Sequence, residues 1–265
     1  IIPEGTVLNA SYPKATTFGN HLCPPNADAI IRALAPAIPD KVTAGWNNLL
    51  CSLTTAEDEE KGDKYVDIFF MGFKGGSGGM NGTDGYDHIG MIDASGGVLD
   101  QDYEMFENQN PVHLIKHELK CDSAGPGQWR GGYGTETEML VEGENVAGVV
   151  FGDGIEEEAK AFGLFGGGTG ILNEMSFTSP DQSQHRPKSK EIVKDIATHT
   201  VLTQIAGGGG GYGDPFKRPI EIVLNEVKNG LVSVKRAKQN YGVVIDPESL
   251  ELDIAATDTV RSKRP

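Results

Sequence analysis

Apolar positions recur at helical spacing near both ends of the chain and alternate with polar ones through its middle. After Pro24-Pro25, the positions Ala27, Ile30, Ile31 and Leu34 predict a helix with Asn26 as its cap, ended by Pro36 and Pro39. From Lys41 to Asp102 the texture changes to short apolar runs such as Tyr65-Val66-Asp67-Ile68-Phe69-Phe70, broken by Gly75-Gly76-Ser77-Gly78-Gly79 and Gly82-Thr83-Asp84-Gly85. Strands joined by loops are expected there, with the acidic stretch from Glu57 to Asp63 as a solvated turn. Further on, apolar stretches separated by turn residues predict strands over 112–119, 136–141, 146–151, 171–177 and 198–205. Ile220, Val223, Leu224 and Val227 then form one helical face closed by Asn229-Gly230, and Ser233 caps a shorter helix that stops at Tyr241-Gly242.

This order of elements predicts an α+β fold: a β-rich domain with glycine-rich loops and a small carboxy-terminal helical appendage. The expected division is a mixed α/β segment over 1–110, a β-rich domain over 111–215 and the helical appendage over 216–265. No fixed-period repeat or heptad is present, which removes solenoids and coiled coils.

Charge narrows the partners. A net charge of -15 without any basic run argues against nucleic acid and anionic membrane surfaces, both of which require clustered Lys and Arg. Cys23, Cys51 and Cys121 are too scattered for a disulfide framework or a zinc knuckle, which fits a reducing compartment. With no apolar stretch of about 20 residues and no signal-like start, the cytoplasm is the expected location. The opening Ile1-Ile2-Pro3 reads as if cut from something longer.

Candidate chemistry is densest in Asp122-Ser123-Ala124-Gly125-Pro126-Gly127-Gln128-Trp129-Arg130-Gly131-Gly132-Tyr133-Gly134, where glycines permit positive φ and close backbone approach beside polar side chains. The same composition fits a compact loop in which Arg130 pairs with Asp122 for shape. Five glycines at 207–211 offer either backbone N–H donors to an anion or tight packing, and the Walker pattern is absent. His113 and His117 stand four apart, on one side of either a helix or a strand, in an order that is not H-E-x-x-H and without a third ligand nearby. His21 beside Cys23 is a further polar pair. Asp84-Gly85-Tyr86-Asp87-His88 mixes oxygen and nitrogen donors suited to a divalent ion or to acid–base work, and also suits a polar turn.

Three segments together resemble the hydantoinase B family, which includes 5-oxoprolinase-like proteins and one subunit type of the acetone and acetophenone carboxylases. Asp122 to Gly134 resembles the family's D-S-G-G-P-G-x-x-R-G-G-x-G signature, departing at Ala124. Gly207 through Asp214-Pro215, Val227-Lys228-Asn229-Gly230-Leu231-Val232-Ser233 and Tyr241-Gly242-Val243 resemble its G-G-G-G-x-G-D-P ending, V-N-G-x-V-S-like turn and Y-G-V. Glu104, Glu107 and Pro111-Val112 resemble the E-x-x-E-x-x-x-P-V stretch, and Gly75 to Gly85 resembles the earlier glycine-rich loop.

The resemblance implies a subunit working with a hydantoinase A-type partner that binds ATP and phosphorylates a small-molecule carbonyl substrate or its enolate. Either cyclic amides are opened or ketones are carboxylated. The family's amino-terminal N-D-P-Y-x-G-G-T-H type segment, implicated in metal binding, has no counterpart here. This chain is therefore expected to complete the rest of a hydantoinase B-type subunit, and a divalent metal ion is not expected to rest on these residues. Departures at Asp93 to Asp100 and at Gly19-Asn20-His21-Leu22-Cys23 favour ketone carboxylation, with cyclic amide hydrolysis as the alternative and a non-catalytic scaffold as a third. Asp122, Ser123 and Arg130 are the expected site-lining residues, Arg130 neutralising a phosphorylated or carboxylate intermediate. Asp84 and His88 are the expected acid–base or metal groups, with Glu104 as polar support.

Overall fold

A computed structural model describes residues 2–6, 9–14, 22–58, 63–69 and 71–263. The first helix, α1 (Cys23–Leu34), begins one turn earlier than the cap expected at Asn26. Pro24 and Pro25 stand inside its first turn, where a missing N–H costs nothing because those donors have no intrahelical acceptor. His21 and residues 59–62 of the acidic stretch lie outside the described residues.

Two antiparallel sheets follow. One has the order β2-β1-β5-β8 and comprises β1 (Leu50–Asp58), β2 (Asp63–Ile68), β5 (Glu144–Gly152) and β8 (Lys190–Ile196). The other has the order β3-β4-β9-β6-β7 and comprises β3 (Val112–Leu119), β4 (Thr135–Val141), β6 (Glu174–Thr178), β7 (Gln184–His185) and β9 (Val201–Ala206). The first sheet crosses the division expected at residue 110, because β1 pairs with β5 about a hundred residues away, as Leu53 opposite Val149. The strand expected from residue 171 starts only at Glu174, since Ile171 and Asn173 donate their amides to Ser123 and Gly154 rather than to a neighbouring strand.

Inward residues of both sheets share one core. Leu50, Val146, Val150 and Ile196 from the first sheet meet Val112, Met139, Val141, Phe177 and Leu202 from the second. A short helix, α2 (Tyr103–Gln109), is capped by Asp102 and closes this core with Phe106, whose ring lies 6.0 Å from that of Phe69.

Three helices complete the chain: α3 (Ile220–Lys228), α4 (Val234–Tyr241) and α5 (Ile254–Ser262). Ser233 accepts from the Arg236 amide as the cap of α4, and Gly242 terminates α4 at φ 65°. Val223, Val227 and Ala237 bury against Tyr133, so the appendage packs directly on the glycine-rich signature. No helix among the described residues is long and apolar enough to cross a membrane.

Candidate functional site

Between the sheets and the helical appendage lies a layer of interlocked glycine backbone. Gly209 receives the Gly125 amide and donates to Gly132, Gly79 donates to Gly210, and Gly211 donates to Gly168, all within 2.8–3.0 Å. A Cβ on Gly132 would overlap the Tyr86 carbonyl, and one on Gly209 the Ser77 carbonyl. Close approach, not positive φ, therefore demands these glycines; in the 122–134 segment only Asp122, at φ 61°, is left-handed. The amides of Gly207, Gly209, Gly210 and Gly211 all donate to protein acceptors, so the run is packed rather than open to an anion.

Arg130 does not pair with Asp122. Its Nε donates to Glu226 Oε1 at 2.8 Å and its Nη1 to Asp87 Oδ1 at 2.9 Å, while the guanidinium lies 4.1 Å from the Tyr133 ring centroid. Asp84 accepts the Arg130 amide at 2.9 Å and a two-pronged bond from Arg218 at 2.8 and 2.7 Å. Arg218 also reaches Glu226 Oε1 at 2.7 Å and is only 1% exposed. Asp84, Asp87, Glu226, Arg130 and Arg218 thus form one network around the buried Arg218 and Glu226, with Asp84 and Asp87 part-exposed at its edge, and every arm of the Arg130 fork is occupied within the chain. Asp87 also accepts the Tyr133 amide, which leaves neither aspartate as a ready metal ligand. Asp122 receives the Ser233 amide at 2.8 Å. The Ser123 hydroxyl donates to the Lys120 carbonyl and accepts from Gly134, completely buried. Asp122 thus ties the signature to the appendage and Ser123 braces the signature internally, and both stand apart from Asp84 and His88.

His88 turns the other way, at φ 47°. Its Nε2 faces His117 Nε2 at 3.2 Å and lies 3.6 Å from Asp100 Oδ1, which the buried Lys74 ammonium holds at 2.7 Å. His117 Nδ1 lies 2.8 Å from Thr137 Oγ1, and the Tyr103 ring packs edge-on at 5.6 Å. His113 is not on the same face. An extra residue in β3 between Leu114 and Lys116 shifts the register, so that His113 pairs opposite Leu140 and His117 opposite Thr137. His113 bonds Glu107 instead, and Glu104 is exposed in the first turn of α2.

Burial pushes His117 down to about 4, helped by His88 and Lys74 against the opposing pull of Asp100. Burial also lowers His88. Two imidazoles kept neutral by burial are thus in contact beside a lysine–carboxylate pair, one ring donating and the other accepting. Among the described residues no group of three or more His, Cys, Asp and Glu is arranged to hold a metal ion. Nothing local in the sequence marks Lys74 or Tyr103, whereas Asp100 ends the Asp93 to Asp100 segment that stands out as a departure.

A depressed imidazole means the unfolded chain binds more protons, so this contribution to stability is full above about pH 6.5 and is lost as pH falls toward about 4. Between pH 7.5 and 5 the loss is expected to be about 1 kcal/mol after allowance for solvent screening of the part-exposed ring. His117→Gln should remove that acid-side loss in urea unfolding at the two pH values; an unchanged slope would mean that the ring is not held neutral by burial.

Residues 1–215 match the model of the family described as Hydantoinase B/oxoprolinase. The beta subunit of the caprolactamase of Pseudomonas jessenii is 33% identical over 98% of this chain and 45% of its own length. The B-type subunit of the putative D-/L-hydantoinase of Pseudomonas sp. strain NS671 is 28% identical over 98% of the chain and 43% of its own. The crystal structure of the ATP-dependent caprolactamase superposes with a TM-score of 0.85 at 28% identity, covering 99% of this chain and 46% of that one. A nucleotide-free acetone carboxylase structure, at TM-score 0.73 and 20% identity over 86% of this chain and 34% of that one, shares the fold. The chain spans less than half the length of the two sequence relatives. It belongs to the hydantoinase B/oxoprolinase family.

Proposed function

We propose that the chain is part of the B-type subunit of an ATP-dependent enzyme that opens a cyclic amide. It would work with the remainder of that subunit and with a hydantoinase A-type partner that binds ATP and activates the substrate carbonyl. The observation that carries this reading is the likeness to caprolactamase, which extends over nearly the whole chain in both sequence and structure. The chemistry is compatible with the His88 and His117 pair. Ring opening requires a base for the attacking water and an acid for the departing ring nitrogen, and two touching neutral imidazoles can supply one and then the other.

Ketone carboxylation stands as the second reading, because the unusual Asp93 to Asp100 segment delivers Asp100 to the same cluster. The assembled complex, given ATP, should convert members of a lactam and hydantoin panel to ring-opened amino acids. Fixation of labelled bicarbonate onto a ketone, without ring opening, would replace the first reading by the second.

A further inference from the structure

The first sheet has two faces, and the shared core accounts for only one of them. Along β5, Val146 and Val150 turn inward to that core, while the alternate positions Val149 and Phe151 turn outward, so both sides of the strand are apolar. A strand that is apolar on both sides suits a sheet covered on both sides, whereas a sheet facing water alternates apolar with polar. Register carries the pattern across the sheet. Ile68, Leu53, Val149 and Ile192 stand opposite one another on β2, β1, β5 and β8 and make one apolar row on the outer face.

Phe73, Met91 and Val98 cover one end of this face, where Cys51 and Phe151 are buried. Beyond that cover, among the described residues, Ile192 is 61% exposed, and Val66, on the same side of β2 as Ile68, is 65% exposed. Lys190 and Lys194 flank Ile192 on the same side of β8, both exposed and without a carboxylate partner among the described residues. The uncovered end is therefore apolar with a cationic border, on a chain whose net charge is -15. A second copy suits it poorly, because stacking the two faces would bring two such acidic chains together. The match to the caprolactamase beta subunit covers 45% of that protein, so more than half of it lies outside the matched part.

We propose that the outer face of the first sheet is the docking surface for the remainder of the B-type subunit. That remainder covers Ile192 and Val66 with apolar side chains and sets carboxylates against Lys190 and Lys194. The inference rests on the reading of this chain as part of such a subunit, and it holds whichever reaction the assembled enzyme performs.

The test begins with carbodiimide treatment of the assembled enzyme, which forms an amide bond between a lysine amine and a carboxylate in contact with it, the oxygen leaving as a urea. Mass spectrometry of the joined peptides should link Lys190 and Lys194 to Asp or Glu of the remainder of the subunit. In parallel, Ile192→Cys should react with a maleimide at least about tenfold more slowly in the assembled enzyme than in the chain alone. Turnover of lactams and ketones by the same preparation keeps the two readings apart, since an enzyme that carboxylates a ketone and still shows these links fails only the amide-opening proposal. Links to a second copy or to the ATP-binding partner, no link at either lysine, or equal labelling in the two states would overturn the docking surface.

Discussion

Arg218→Leu should destabilise the chain by about 3–5 kcal/mol, the range for removing one member of a buried ion-pair network. Arg218 satisfies both oxygens of Asp84 and reaches Glu226, which is itself almost fully buried. Leucine leaves the buried Glu226 carboxylate with only its Arg130 contact and little access to water, and leaves the part-exposed Asp84 with the Arg130 amide. The network also fastens the appendage, because Glu226 belongs to α3 and Arg261 of α5 donates to the Arg218 carbonyl at 3.0 Å. The urea midpoint should therefore fall, and proteolysis should release the segment after residue 215 first. A loss under about 1 kcal/mol would place the network in solvent-like surroundings, contrary to its burial. Arg130→Ala is expected to act in the same direction, through stability rather than through an open anion site.

His117→Ala in the assembled enzyme should lower turnover by about 10²–10⁴-fold, the usual contribution of a positioned acid or base. His88→Ala should do the same, and the double variant should be little worse than either single one, because the two rings act as a unit through one 3.2 Å contact. Steady-state product formation, measured alongside the unfolding midpoint, separates lost chemistry from lost fold. Full turnover in both single variants would remove the pair from the mechanism and leave it a packed polar contact.

Much of the fold was legible along the chain. The alternation in β4, with Thr135, Thr137, Met139 and Val141 buried, is strong because one face meets the core. The caps of α4 follow from Ser233 and Gly242 by local chemistry alone. Lys190 to Ile196 gave no such signal, since charged and exposed positions dominate a strand at the sheet edge. The short α2 was missed as well, its seven residues carrying one buried side chain.

The candidate sites divide the same way. Local sequence marked the 122–134 and 207–211 segments as glycine-rich, with close backbone packing as one of two readings, and its likeness to a family placed the chain correctly among relatives. It did not determine who pairs with whom. Arg130 had acidic candidates in every direction, and the choice of Asp87 and Glu226 over Asp122 rests on contacts across 43 and 96 residues. The same holds for His117, which a one-residue bulge in β3 turns away from His113 and toward His88. Periodicity, capping and glycine demand act within a few residues and are written locally; charge pairing and proton sharing depend on distances that exist only once remote segments are packed together.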